Sequence, residues 1–149
     1  MISVIVQGRA EARELAALLA ALVPAAVDGL VREVIVVDED PAEATAVICE
    51  DAGAAVVADL QTATAQARTD LLLLLPTHLR LRPGWDESLR RHIERSGEGA
   101  LVCEADTGLL SRLIPPRTAG VLVDRRRVGK ASRRIEDVRR TLGRSVRLS

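Results

Sequence analysis

The chain has 149 residues, 48% of them hydrophobic, which suffices for one compact core and leaves no room for a second domain. With one Trp and neither Phe nor Tyr, the core is aliphatic and only Trp85 is available to stack unpaired bases, so no nucleic-acid partner is expected. The formal net charge is zero, yet residues 1–111 hold nine basic against eighteen acidic side chains and residues 112–149 twelve against three. That asymmetry points to an anionic partner or to two halves that neutralise each other.

In chain order, Ile2–Val6 is a β-branched run followed by Gly8, and Glu11–Val23 reads as an Ala- and Leu-rich helix ended by Pro24. Val34–Val37 is a continuous apolar strand of the kind buried on both faces in a parallel sheet. Pro41 suits the first turn of a helix running to about Asp51, with Asp40 as its cap, and Gly53 ends it. Ala55–Val57 is a third strand, Gln61–Arg68 a brief polar helix, and Leu71–Leu75 a strand stopped by Pro76. Pro83-Gly84 marks a turn before a helix over Trp85–Arg95, and Gly97 and Gly99 precede a strand at Ala100–Cys103. After Pro115-Pro116 the composition turns Arg-rich, with a strand at Ala119–Val123 and a short helix at Ile135–Leu142. Strands alternating with helices predict an α/β fold, one domain over residues 1–149 with a mostly parallel sheet flanked by helices, the basic segment 112–149 included.

Cys49 and Cys103 stand alone without CxxC spacing and read as small core residues. The longest aliphatic run, Leu71–Leu75, is far short of the ~20 residues of a membrane span. No basic stretch followed by a cleavable apolar segment opens the chain, so a cytoplasmic protein is expected. In open α/β sheets ligands bind beyond the carboxyl ends of the strands. That selects Gln7-Gly8-Arg9, Asp38-Glu39-Asp40, Pro76-Thr77-His78 and the segment after Val123.

Ile2–Val6 with Glu11, then Val34–Asp38 with Thr45, resembles the opening of family 2 glycosyltransferases. Asp70–Leu75, Arg80-Leu81 and Pro83-Gly84-Trp85 resemble the segments flanking that family's metal motif, and Gly120–Val123 with Ile135–Val138 its "ED" segment. The ordered set covers nearly the whole chain. The resemblance implies a Rossmann-like GT-A type fold that binds a nucleotide-diphosphate sugar and transfers a hexose to an acceptor, whose identity is open. It places Gln7, Gly8, Asp38, Asp40 and Thr77 at the nucleotide, with the Asp38 carboxylate accepting from a base N–H. Glu136 and Asp137 fall where the family carries its catalytic base; the alternative is an acidic pair at a helix start, favourable beside the helix dipole.

Where the family's metal motif supplies a carboxylate, this chain reads Pro76-Thr77-His78. Mn²⁺ or Mg²⁺ on a diphosphate favours hard oxygen ligands, so a metal cofactor is disfavoured and His78 is at most a weak ligand or a surface histidine. Arg125, Arg133 and Arg140 are the candidates to neutralise a diphosphate in its place, because guanidinium donates paired hydrogen bonds to phosphate. Two alternatives stand beside the transferase. One is a catalytically inactive homologue acting as a binding or regulatory partner of another protein. In the other, the Arg-rich third docks on an anionic membrane surface.

Overall fold

The computed structural model describes residues 1–9, 11–95, 99–103, 118–142 and 145–148. The expected breaks at Gly97 and Pro115-Pro116 and the side chain of Cys103 lie outside the described residues. The elements are β1 (Ile2–Gln7), α1 (Ala12–Val27), β2 (Val31–Val37), α2 (Glu43–Asp51), β3 (Ala55–Val57), α3 (Leu60–Gln66), β4 (Leu71–Pro76), α4 (Trp85–Arg95), β5 (Ala100–Cys103), β6 (Thr118–Asp124), α5 (Ile135–Thr141) and β7 (Val146–Leu148). A short 3₁₀ turn, Arg125–Arg127, follows β6.

The strands form one seven-stranded sheet in the order β3-β2-β1-β4-β6-β5-β7. β3, β2, β1 and β4 run parallel. β6 runs antiparallel to both β4 and β5, and β7 is parallel to β5. The expectation of a mostly parallel sheet flanked by helices holds, with β6 the strand that reverses.

Period-2 alternation builds two cores from one sheet. Val4, Val6, Leu73 and Leu75 pack with Leu15, Leu18 and Leu22 of α1, Cys49 of α2 and Leu89 of α4. Ile5, Leu72 and Leu74 face the other way, onto Leu60 and Ala63 of α3 and Ile135 and Val138 of α5. An all-leucine β4 serves both faces, and Leu72 to Leu75 are each fully buried. Cys49 is a free, buried thiol, as a small core residue should be.

β2 begins at Val31 rather than Val34, and two helix boundaries and one strand also differ from the sequence expectation. Pro24 does not end α1, which continues to Val27. Its missing N–H matters only to the carbonyl of Ala20, and both residues lie on the exposed face, where water replaces the bond. The true stop is Gly29 at φ +73°, where Leu30 N–H donates to Ala25 O and Gly29 N–H to Ala26 O; Gly53 closes α2 in the same way. The second helix starts at Glu43 behind Ala42, and Asp40 does not cap it. β7, with only three residues, was not expected at all.

Gly120 lies in β6 between β4 and β5, directly opposite Val102. A Cβ there would stand 2.7 Å from Leu75 Cδ2 and 3.0 Å from Val102 Cβ, and Leu75 is fully buried with nowhere to go. Gly120→Ala should therefore destabilise by about 1–3 kcal/mol, read as a lower denaturant midpoint; an unchanged midpoint would mean this part of the sheet is loosely packed.

Candidate functional site

The parallel strands carry Gln7, Asp38, Ala58-Asp59 and Thr77 to one rim of the sheet, the carboxyl ends of β1, β2, β3 and β4. The segment after Val123 is not delivered there by its strand. Because β6 is antiparallel, Asp124 pairs with Leu71 at the amino end of β4. Arg125 is tied down at that opposite edge: its N–H donates to Asp70 O (2.7 Å), Nη1 donates to Ala67 O (2.8 Å), and Nη2 pairs with Asp70 Oδ1 (3.3 Å). Arg125 is thus separated from the other site candidates.

From Arg125 the chain climbs beside α3 back to the rim. Val128 is buried in the α3-side core. Gln61 Nε2 then donates to Gly129 O (3.0 Å) and Ser132 O (2.8 Å). At the rim Gln7 completes the attachment, with Nε2 donating to Arg133 O (2.7 Å) and Oε1 accepting from Ile135 N–H (3.1 Å). A carboxamide is needed because the same side chain must donate and accept. Gln7, expected at the nucleotide, is therefore engaged in holding the start of α5.

Asp137 sits in the first turn of α5 and reaches back, its Oδ2 accepting from the N–H groups of Arg133 and Arg134, both at 3.1 Å. This is the acidic half of a capping box; Arg134 has no acceptor with which to reciprocate. Those two bonds, with smaller help from Arg140 and Arg134, hold the carboxyl below its ordinary range. Glu136 beside it is exposed and makes no hydrogen bond or ion pair among the described residues. Arg140 lies in the last turn of α5.

Asp38 forms its own turn, Oδ1 accepting from Asp40 N–H at 3.2 Å. Its charge, after burial itself, helps to push up the Cys49 thiol of α2. Gly8 has φ +131°, and a Cβ there would come within 3.1 Å of Thr77 Oγ1. Thr77 is 2% exposed, and its Oγ1 is the buried side-chain polar atom without a partner among the described residues. At the amino edge, by contrast, buried Ser3 is fully engaged, donating to Glu33 at 2.6 Å and accepting from Thr69 at 3.0 Å.

Two clefts open at this rim. One, of about 540 Å³, is lined by Glu39, Ala58–Gln61, Lys130, Ser132 and Arg133 on the α3 side. Asp59 spends its carboxylate there on Thr62 N–H (2.8 Å) and Oγ1 (3.0 Å) as the cap of α3, bonds that lower its pKa. The other, of about 550 Å³, lies on the α1 side, where His78 joins Glu11, Glu14 and Arg80. Glu39 lies in the strand-end segment that the sequence singles out, whereas Asp59, Gln61 and Lys130 escaped the sequence reading; of these only Asp59, three residues before Thr62, carried a local signal.

A divalent metal does not fit this donor set. The segment after β4 offers Pro76, Thr77 and His78, with a single imidazole facing the α1-side cleft and no carboxylate. Among the described residues no group of three or more His, Cys, Asp or Glu is placed to hold an ion.

No protein-family model matches the chain, and no curated protein matches it by sequence. Solved structures do. Glucosyl-3-phosphoglycerate synthase from Mycobacterium tuberculosis, in complex with phosphoglyceric acid, superposes with a TM-score of 0.64 at 17% identity, over 86% of this chain and 58% of that one. The same synthase with Mn²⁺, uridine diphosphate and glucosyl-3-phosphoglycerate gives 0.62 at 20% identity, over 86% and 58%. Mannosyl-3-phosphoglycerate synthase from Rubrobacter xylanophilus gives 0.63 at 18%, over 85% and 54%. No helix among the described residues is long and apolar enough to cross a membrane.

The Asp137 cap makes a pH-dependent prediction. A carboxyl whose folded pKa is lowered stabilises fully above its unfolded value and loses that contribution as pH falls toward the folded one. Asp137→Ala should therefore be less stable than the parent at neutral pH, with the gap narrowing in acid below the ordinary aspartate range; denaturant midpoints at both pH values measure it. A gap of constant size would assign the loss to something other than the carboxylate. The chain spans little more than half the length of these glycosyltransferases and has their GT-A type fold.

Proposed function

We propose that the domain binds a nucleotide-diphosphate sugar at the carboxyl rim of β1–β4 and transfers its hexose to an acceptor hydroxyl. The observation that carries this is the α3-side cleft of about 540 Å³, opened between the loops after β2 and β3 and the returning segment 129–133. Its location follows the rule for ligands in open α/β sheets. The structural neighbours add support, since one was solved with uridine diphosphate and a glucosylated product. Outside the lining of that cleft but on the same rim, the free oxygen of Asp38, with Asp40 and the Gly8 backbone, and the buried, unpartnered Thr77 Oγ1 are the further groups proposed for the nucleotide.

Of the two acids in α5, Glu136 is the better base, because protonating Asp137 would give up the cap of its own helix. Glu136 would take the proton of the acceptor hydroxyl. The oxygen then attacks the anomeric carbon, and the bond to the nucleoside diphosphate breaks with its electron pair leaving on that group. No step is assigned to a metal.

A second reading keeps the binding and drops the transfer, leaving a regulatory or binding partner of another protein. It is favoured by the occupied Asp137 carboxylate and the lack of a carboxylate at 76–78. Docking on an anionic membrane would draw on the same arginines, and it loses Arg125 to Asp70.

Thermal unfolding with a panel of nucleoside diphosphates and their sugars tests the proposal. A ligand at 100 times its Kd stabilises by about 2.7 kcal/mol, a shift of several degrees for a domain of this size. Transfer that survives Asp137→Asn but falls in Glu136→Gln supports the assignment. Binding with no hexosyl or hydrolytic turnover selects the second reading, and no shift with any nucleotide rejects both.

A further inference from the structure

Resting on the nucleotide-sugar reading above, we infer that Lys130 and Arg133 grip the diphosphate of the bound nucleotide directly, in the place of a metal ion. The backbone around them is immobilised from both sides. Gln61 holds Gly129 O and Ser132 O, Gln7 holds Arg133 O, and Ser132 N–H closes a turn onto Gly129 O at 2.9 Å. Ser132 itself is buried. The two side chains that this segment presents both line the α3-side cleft and are exposed.

Neither cation has a hydrogen bond or ion pair from its side chain to the described protein. Three other basic side chains are paired within the protein, Arg68 with Glu33, Arg91 with Glu87 and Arg125 with Asp70. Two unpaired cations on a pinned backbone over a concave surface are preorganised for an anion, since ordering the segment is already complete before the ligand arrives. Their chemistry matches phosphate, with a compact ammonium as point charge and a planar guanidinium that donates two bonds at once.

The rest of the cleft selects what kind of anion. Glu39 brings an acceptor-only carboxylate from the loop after β2, and Asp59, though occupied by Thr62, adds a second negative charge from the loop after β3. A simple anion would meet those charges unfavourably. A nucleoside diphosphate has acceptors at its phosphate end and donors in its ribose hydroxyls and base N–H groups, so it complements both sets. Arg125 at the opposite edge and Arg140 at the far end of α5 take no part.

The test is calorimetric titration of the full chain with uridine and guanosine diphosphates and with inorganic pyrophosphate, in excess chelator and again with Mn²⁺. The nucleotide that binds should do so equally well in both. Lys130→Ala and Arg133→Ala should each weaken it about tenfold, and nucleoside monophosphate binding less. Arg126→Ala and Arg127→Ala, charge-matched changes on the same segment, should leave it unaltered. Nucleotide binding that requires Mn²⁺, or that Lys130→Ala and Arg133→Ala leave intact, overturns the cation pair while the nucleotide reading stands. Equal losses in all four variants also overturn it, as a general charge effect. Pyrophosphate held through Lys130 and Arg133 without nucleotide affinity supports the pair as a diphosphate site and rejects the nucleotide reading. Affinity for none of the three rejects both.

Discussion

The carboxamide of Gln7 ties residues 126 and 128 positions away to the end of the first strand, and the rim of this molecule depends on it. The need arises from β6. An antiparallel strand delivers its chain to the amino edge of the sheet, so the segment that follows must climb back beside α3 before α5 can begin. Gln61 holds it midway and Gln7 fixes it at the top. Between them, two neutral amides decide where Lys130, Arg133, Glu136 and Asp137 stand. The polar contacts are individually worth only about 0.5–1.5 kcal/mol, so their effect is on placement more than on global stability.

The same geometry gives meaning to the charge asymmetry of the sequence. Residues 125–140 of the basic final third lie along the α3 face and rim, and among the described residues only some of its cations are paired. Arg125 neutralises Asp70 at the far edge, and Arg134 and Arg140 lower the Asp137 pKa alongside its backbone bonds. Lys130 and Arg133 remain uncommitted over a cleft. The α1-side cleft is of similar size and is lined by Glu11, Glu14, Arg13 and Arg80 with His78.

Most of the architecture was legible because it is written in local pattern. The aliphatic runs at 2–6, 34–37 and 71–75 gave strands, and Gly53 gave a helix end. What escaped is decided by long-range geometry or by solvent. Pro24 is tolerated because its face of α1 is wet, and the direction of β6 is a property of the sheet rather than of its residues. The three residues of β7 have too short a pattern to identify. At the rim, Asp38 and Thr77 were legible from the strand ends they follow. Gln61 and Lys130 were not, because a polar helix residue and a loop lysine acquire significance only when the chain returns across them. Asp137 was marked both as a candidate base and as an acid suited to a helix start, and its bonds fit the second role.

Hydrogen–deuterium exchange with and without a saturating nucleoside diphosphate most directly tests the claim that the α3-side cleft is the ligand site. Protection should rise over residues 37–40, 58–61 and 129–135 together, and stay unchanged over 11–14 and 78–81. Protection centred on 11–14 and 78–81 instead would move the ligand to the α1 side and contradict the account.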